Sequence, residues 1–198
     1  MPTHLAALTP SKAEPLQTLP LPTPRPGPND LLIETRSLAL NPADHLIRST
    51  GLLIPPAAYP TATGFDLAGV VLEVGENVPD AHEGPVFQPG TRVAAYAGWV
   101  WKGCCGAAYG AFQEKCLVPW QHAAVLPQTG VTWNEAATLP VAFCTALSAW
   151  DALGLPRVGG SDGVQTGEEE GGREALLVWG ASSSVGTAGV QSACTLRG

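Results

Sequence analysis

From Asp30 to Leu40 the chain alternates imperfectly, with Leu31, Ile33, Thr35, Ser37 and Ala39 on one face and Leu32, Glu34, Arg36, Leu38 and Leu40 on the other. This pattern predicts a strand buried at one end. An apolar segment near Leu5 to Leu8 precedes it, followed by Leu19 to Pro28, where proline recurs at every second residue. Such spacing forbids a helix or a central strand and predicts an extended edge segment. Asn41-Pro42-Ala43-Asp44 has the form of a helix start, with Asn as cap, Pro at the first helical position and Asp44 complementing the dipole. The helix is expected over Ala43 to about Ser49.

Leu52 to Thr63 reads as a loop. Gly64 to Gly75 reads as a long strand whose glycines mark bulges or close backbone approach. After a surface excursion from Asn77 to Pro89, further strands are expected at Gly90 to Ala97, Ala111 to Val118 and His122 to Leu126, with a glycine-rich aromatic loop between the first two. Many short strands with Pro/Gly turns predict a small β-rich barrel or sandwich. From Thr132 the period changes from two to 3.6: Thr132 and Glu135 form a capping-box pattern, and Pro140 opens a second helix running to about Leu153. Leu155 to Gly172 has no period and reads as a surface insertion, with Glu168 to Glu170 as a solvated charge run.

The last stretch changes the picture. Glu174 to Trp179 is an apolar run of strand length, and Gly180 and Ala181-Ser-Ser-Ser-Val-Gly186 follow it. Beyond them Val185, Ala188, Gly189, Ser192, Ala193 and Leu196 make a helical face of small residues. Strand, Gly/Ser turn and helix together expose backbone N–H groups at the positive end of a helix, a site for phosphate or pyrophosphate. Gly180 and Gly186 hold the outer glycine positions of a dinucleotide fingerprint and Ser183 the middle one. The same loop also joins a strand to a helix for steric reasons alone. A second parallel strand and the acidic residue expected about 20 residues past the glycines do not fit before Gly198. The expectation is therefore the first third of a nucleotide-binding sheet.

Composition narrows the ligand. Of 198 residues, 45% are hydrophobic and only 14% charged, below the usual quarter or so, a composition that is not that of a disordered chain; the charge balance makes a small neutral or apolar substrate easier to accommodate. A net charge of −7 without a Lys/Arg cluster argues against nucleic acid and an anionic membrane surface. The N-terminus lacks the pattern of a secretory signal and no apolar run has membrane-spanning length, so a cytoplasmic location is expected. Five scattered cysteines without a C-x-x-C suggest neither a disulfide framework nor a zinc knuckle.

Six segments in this order and spacing resemble the medium-chain dehydrogenase/reductase superfamily: Ala39 to Asp44, Gly64 to Gly75, Pro89 to Val93, Gly110 to Glu114, Ala136 to Pro140 and Leu177 to Gly186. The nearest likeness is to the fungal zinc-independent branch of trans-acting enoyl reductases and quinone-type oxidoreductases. The resemblance implies an α/β (α+β) fold, with a GroES-like β-rich barrel domain over 1–130, connecting helices over 131–155, a surface loop insertion over 156–173 and the first β-α of a doubly wound Rossmann sheet, truncated, over 174–198. Where zinc alcohol dehydrogenases carry a Cys and a Gly-His-Glu, this chain has Asn41 and Phe65, with Asp66 in the acidic place. A phenylalanine cannot ligate zinc, so no metal is expected.

The resemblance further implies NADPH as cofactor, held by Gly180, Ser182, Ser183, Ser184, Val185 and Gly186, with Pro42, Asp44 and His45 at its nicotinamide end. Phe143 and Cys144 would line the substrate site, and Thr145 would be the catalytic hydrogen-bonding residue. Each residue also has an ordinary structural reading, as a helix surface, core or own-turn contact. The implied reaction is reduction of an activated C=C bond in an enoyl thioester or enone, free or carrier-bound. The alternatives are a quinone oxidoreductase of the same branch and a catalytically inactive fragment or binding module.

Overall fold

A computed structural model describes residues 2–79, 86–100, 106–154 and 176–195. They fall into two compact units, Met1–Pro140 and Val141–Gly198. The expected insertion, Cys104, Cys105 and Leu196 lie outside the described residues.

The first unit contains two antiparallel sheets. In the smaller one, β1 (Thr3–Thr9) lies between β2 (Gln17–Pro22) and the two-residue β4 (Thr61–Ala62). Among the described residues the proline segment joins a ladder only with β1, Leu5 opposite Pro20, and takes the edge as its missing N–H groups require. β4 forms inside the segment read as a loop, because Thr61 and Ala62 meet Thr9 and Leu8 of β1.

The larger sheet has the order β7-β3-β5-β6-β8. Its strands are β3 (Asp30–Ala39), β5 (Asp66–Val74), β6 (Arg92–Tyr96), β7 (Lys115–Pro119) and β8 (Ala123–Val125). β3 is buried from Asp30 to Ile33 and partly exposed beyond. Leu31, Ile33, Leu67, Val71, Val93, Ala95 and Val118 form the main core. On the other face, Ala68 and Ala94 receive Ala136 and Ala137 of α2 (Trp133–Ala137), with Leu126 beside them. The expected GroES-like β-rich domain is this pair of sheets.

The ladder between β3 and β5 sets the geometry. It breaks register between Leu32 and Ile33 and again between Thr35 and Ser37. A Cβ on Gly69 would collide with the Glu34 carbonyl oxygen, so only glycine lets the two backbones approach here. Arg92 fixes the chain entering α2. Its guanidinium donates to the carbonyls of Pro127, Gln128 and Val131 at 2.8, 2.7 and 2.8 Å and stacks 4.3 Å over the Trp133 ring. The Thr132–Glu135 capping box forms as the sequence predicts: Glu135 N–H donates to Thr132 Oγ1, and Thr132 N–H donates to the Glu135 carboxylate at 2.9 Å. That bond holds the Glu135 carboxyl below its usual range.

The second unit contains α3 (Pro140–Ala152), apart from its first residue, and α4 (Ser184–Thr195). Ala142 and Ala146 pack on Ala188, with Phe143 and Val185 alongside. Trp150 Nε1–H donates to Ser192 Oγ at 2.8 Å. Residues 176–179 of the expected strand are not in a ladder, and Leu177 and Trp179 are 85% and 92% exposed. A strand needs a neighbour for its N–H and C=O groups, and no described residue supplies one. Among the described residues no helix is long and apolar enough to cross a membrane.

Leu67 is fully buried in the main core. Leu67→Ala should cost about 3 kcal/mol of unfolding free energy, measurable by urea denaturation, while the variant remains folded.

Candidate functional site

The first cluster of candidate residues gathers at one end of the larger sheet. Ala39 ends β3 opposite Asp66, the first residue of β5, and Asp66 in turn faces Tyr96, the last residue of β6. Beyond β3 the chain passes through Leu40 and Asn41 into α1 (Pro42–Thr50). Asn41 sits at the N-cap with extended backbone, and its N–H donates to Asp44 Oδ2 at 2.7 Å. Its amide reaches across the sheet end as well, Nδ2–H donating to Asp66 Oδ2 at 2.9 Å.

Asp44 and Asp66 are both buried, whereas Pro42 and His45 are exposed on the first turn of α1. Burial pushes the Asp44 carboxyl above its ordinary value, and the Asn41 N–H offsets this in part. Asp44 Oδ1 is buried without a hydrogen-bond partner.

Phe65, next to Asp66, stacks on Tyr96 with centroids 5.8 Å apart and on Trp99 at 5.6 Å; His122 lies against Tyr96 at 5.7 Å. A ring (Phe65) and an amide (Asn41) therefore stand at the two positions that the resemblance compares with a zinc-binding histidine and cysteine. Tyr59, in the segment before β4, has its OH 3.2 Å from where a Cβ on Gly51 would stand.

The second cluster belongs to the other unit. Gly180 adopts φ 77°, in the left-handed region open to glycine. Ser183 caps α4, its N–H and Oγ–H both donating to Gly180 O at 2.9 and 2.8 Å while its Oγ accepts from Gly186 N–H at 3.0 Å. Thr187 Oγ1–H closes the turn from the far side on Ala181 O. A Cβ on Gly186 would collide with Gly180 O. Ser182 and Ser184 are exposed, and Val185 turns partly inward beside Phe143. Cys144 and Thr145 are exposed on α3, away from the Ala142–Ala146 stripe.

The structure thus joins Pro42, Asp44 and His45 in one turn and Ser182 to Gly186 in another, and brings Phe143 to Val185. Sequence reading missed the tie between Asn41 and Asp66. The residues are 25 apart, and an Asn before Pro already has a complete local explanation as a helix cap.

The described chain thus holds an antiparallel β domain with a capped helix at its sheet end and, in the second unit, a Gly/Ser turn that opens α4. The model of the alcohol dehydrogenase GroES-like domain matches residues 27–128, and the chain belongs to that family, within the medium-chain dehydrogenase/reductase superfamily. It is 42% identical to trans-enoyl reductase tazE of Aspergillus terreus and 41% identical to trans-enoyl reductase tndF of Aspergillus flavipes, over 98% of its length in each case. It covers 59% and 52% of those proteins, so it spans little more than half the length of the curated relatives it matches. An alcohol dehydrogenase superfamily protein from Novosphingobium aromaticivorans superposes with a TM-score of 0.71 at 26% identity, covering 98% of this chain and 51% of the other.

Because the fold raises the Asp44 pKa, folding favours its protonated form. The stability this group contributes is complete below the ordinary aspartate value and is lost as pH rises through the raised value. The stability of the wild type relative to Asp44→Asn should therefore fall as pH rises from the ordinary aspartate value through the raised one, as read from urea midpoints at a series of pH values.

Proposed function

We propose that the protein this chain belongs to is an NADPH-dependent, zinc-independent oxidoreductase that reduces an activated C=C bond in an enoyl thioester or enone. The observation that carries the reading is the identity to two trans-enoyl reductases across nearly the whole chain. The sheet end supports the metal-free part, because Asn41 and Phe65 offer no charged or imidazole donor and are committed to an amide–carboxylate bond and a ring stack.

The turn before α4 fits a dinucleotide phosphate. The close approach of Gly186 to Gly180 O leaves no space for a side chain, and the exposed Ser182 and Ser184 offer hydroxyls beside the helix N-terminus. Ser182, Ser183, Ser184, Val185 and Gly186 would hold the pyrophosphate. Pro42, Asp44 and His45 would stand at the nicotinamide end, and Thr145 would supply a hydrogen bond with Phe143 and Cys144 lining the substrate. When bound, the cofactor supplies the hydride; the protein supplies orientation and donors for charge developing on the substrate. The substrate is a small molecule, free or on a carrier, and the setting is cytoplasmic.

The test is NADPH oxidation by the full-length protein with an enoyl thioester, a cyclic enone and a quinone as separate substrates. Turnover of the thioester or enone, undiminished by a zinc chelator, is expected; turnover of quinone alone would assign the alternative oxidoreductase, and turnover of none would remove catalysis. Gly186→Ala should weaken NADPH binding by about tenfold or more, ~1.4 kcal/mol, measured by cofactor fluorescence.

A further inference from the structure

We propose that Asp66 is a positioning residue for the first turn of α1, acting through Asn41. The inference rests on the reading above, in which that turn faces the nicotinamide end of the cofactor.

The geometry is a series of two bonds linking three residues. Asp66 is 2% exposed and is fixed by ladders on both sides, to Ala39 of β3 and Tyr96 of β6. Its Oδ2 accepts from Asn41 Nδ2–H at 2.9 Å, and the Asn41 N–H donates to Asp44 Oδ2 at 2.7 Å. A rigid strand is thereby tied to the residue that starts the helix.

The rest of α1 is held elsewhere. Ile47 is buried, Ala13 N–H donates to Arg48 O at 2.8 Å, and the Arg48 guanidinium donates to the carbonyl of Glu14 at 3.2 Å. These contacts fix the middle and the end of the helix. Its beginning connects to β3 only through Leu40, which is 76% exposed, and Asn41. The Asp66 tether therefore sets where Pro42, Asp44 and His45 stand. A carboxyl group at this depth is costly unless its hydrogen bonds are made, and the Asn41 amide makes one of them.

The test uses the full-length protein with Asn41→Ala, Asp66→Ala, Asp66→Asn and the double variant Asn41→Ala/Asp66→Ala; Leu67→Ala, the next residue of β5, is the control for a weakened core. NADPH affinity is read by fluorescence, and hydrogen exchange of the backbone amides of Asp44 and His45 is read without ligand. Asn41→Ala and Asp66→Ala should each weaken NADPH binding several-fold, the double variant should be no weaker than the worse single one, and Asp66→Asn, which keeps an acceptor oxygen, should recover most of the loss. Leu67→Ala should leave the affinity unchanged. Additive losses, an Asp66→Asn no better than Asp66→Ala, or an equal loss in Leu67→Ala would overturn the proposal. If the wild type binds no NADPH, the functional reading fails and exchange decides this one: faster exchange at Asp44 and His45 in Asn41→Ala but not in Leu67→Ala upholds the tether, and unchanged exchange refutes it.

Discussion

The close approach of β3 and β5 at Gly69 is the constraint on which the first unit depends. With no Cβ between them, the Glu34 carbonyl can sit against the Gly69 backbone, and the register break at Thr35–Ser37 follows within one residue. That break sets which residue of β5 faces the end of β3, and hence that Asp66 meets Ala39 just where the chain turns into α1. A ladder slipped by one residue would exchange the faces of β5. Leu67 and Val71 would leave the core, and the carboxyl that holds Asn41 would turn the other way. Packing and site geometry are thus consequences of one backbone contact.

Much of this was legible in the sequence because it is local. The apolar run Leu31-Leu32-Ile33 announced a strand buried at one end, the prolines from Pro20 to Pro28 announced an edge, and Thr132 with Glu135 and Pro140 announced two helix starts. What could not be read was made by pairs distant in sequence. β4 is only two residues long and exists because β1 offers a ladder; Arg92 finds its carbonyls 35 to 39 residues away; Asn41 finds Asp66. The apolar run Leu176 to Trp179 shows the opposite case, since a good strand pattern forms no ladder without a described neighbour.

The sheet end shows how a fold keeps a location while changing its chemistry. A Cys/His pattern at the Asn41 and Phe65 positions would gather charge and demand an ion. Here, the same backbone positions carry an amide and a ring, so cohesion comes from a hydrogen bond to a buried carboxylate and from the Tyr96–Phe65–Trp99 stack. Such a centre is held by contacts among its own side chains.

Ser183 at the middle glycine position of the turn has a further consequence. Its hydroxyl binds the Gly186 N–H and the Gly180 carbonyl, so the turn is closed by its own side chain, and a phosphate held there as proposed would leave little ordering entropy to be lost on association. The same hydroxyl would also compete with the proposed ligand, because a phosphate oxygen seeking that N–H would have to displace it. A glycine in its place would leave the N–H vacant but the loop loose. On the proposed reading, serine would exchange contact strength for a preformed turn.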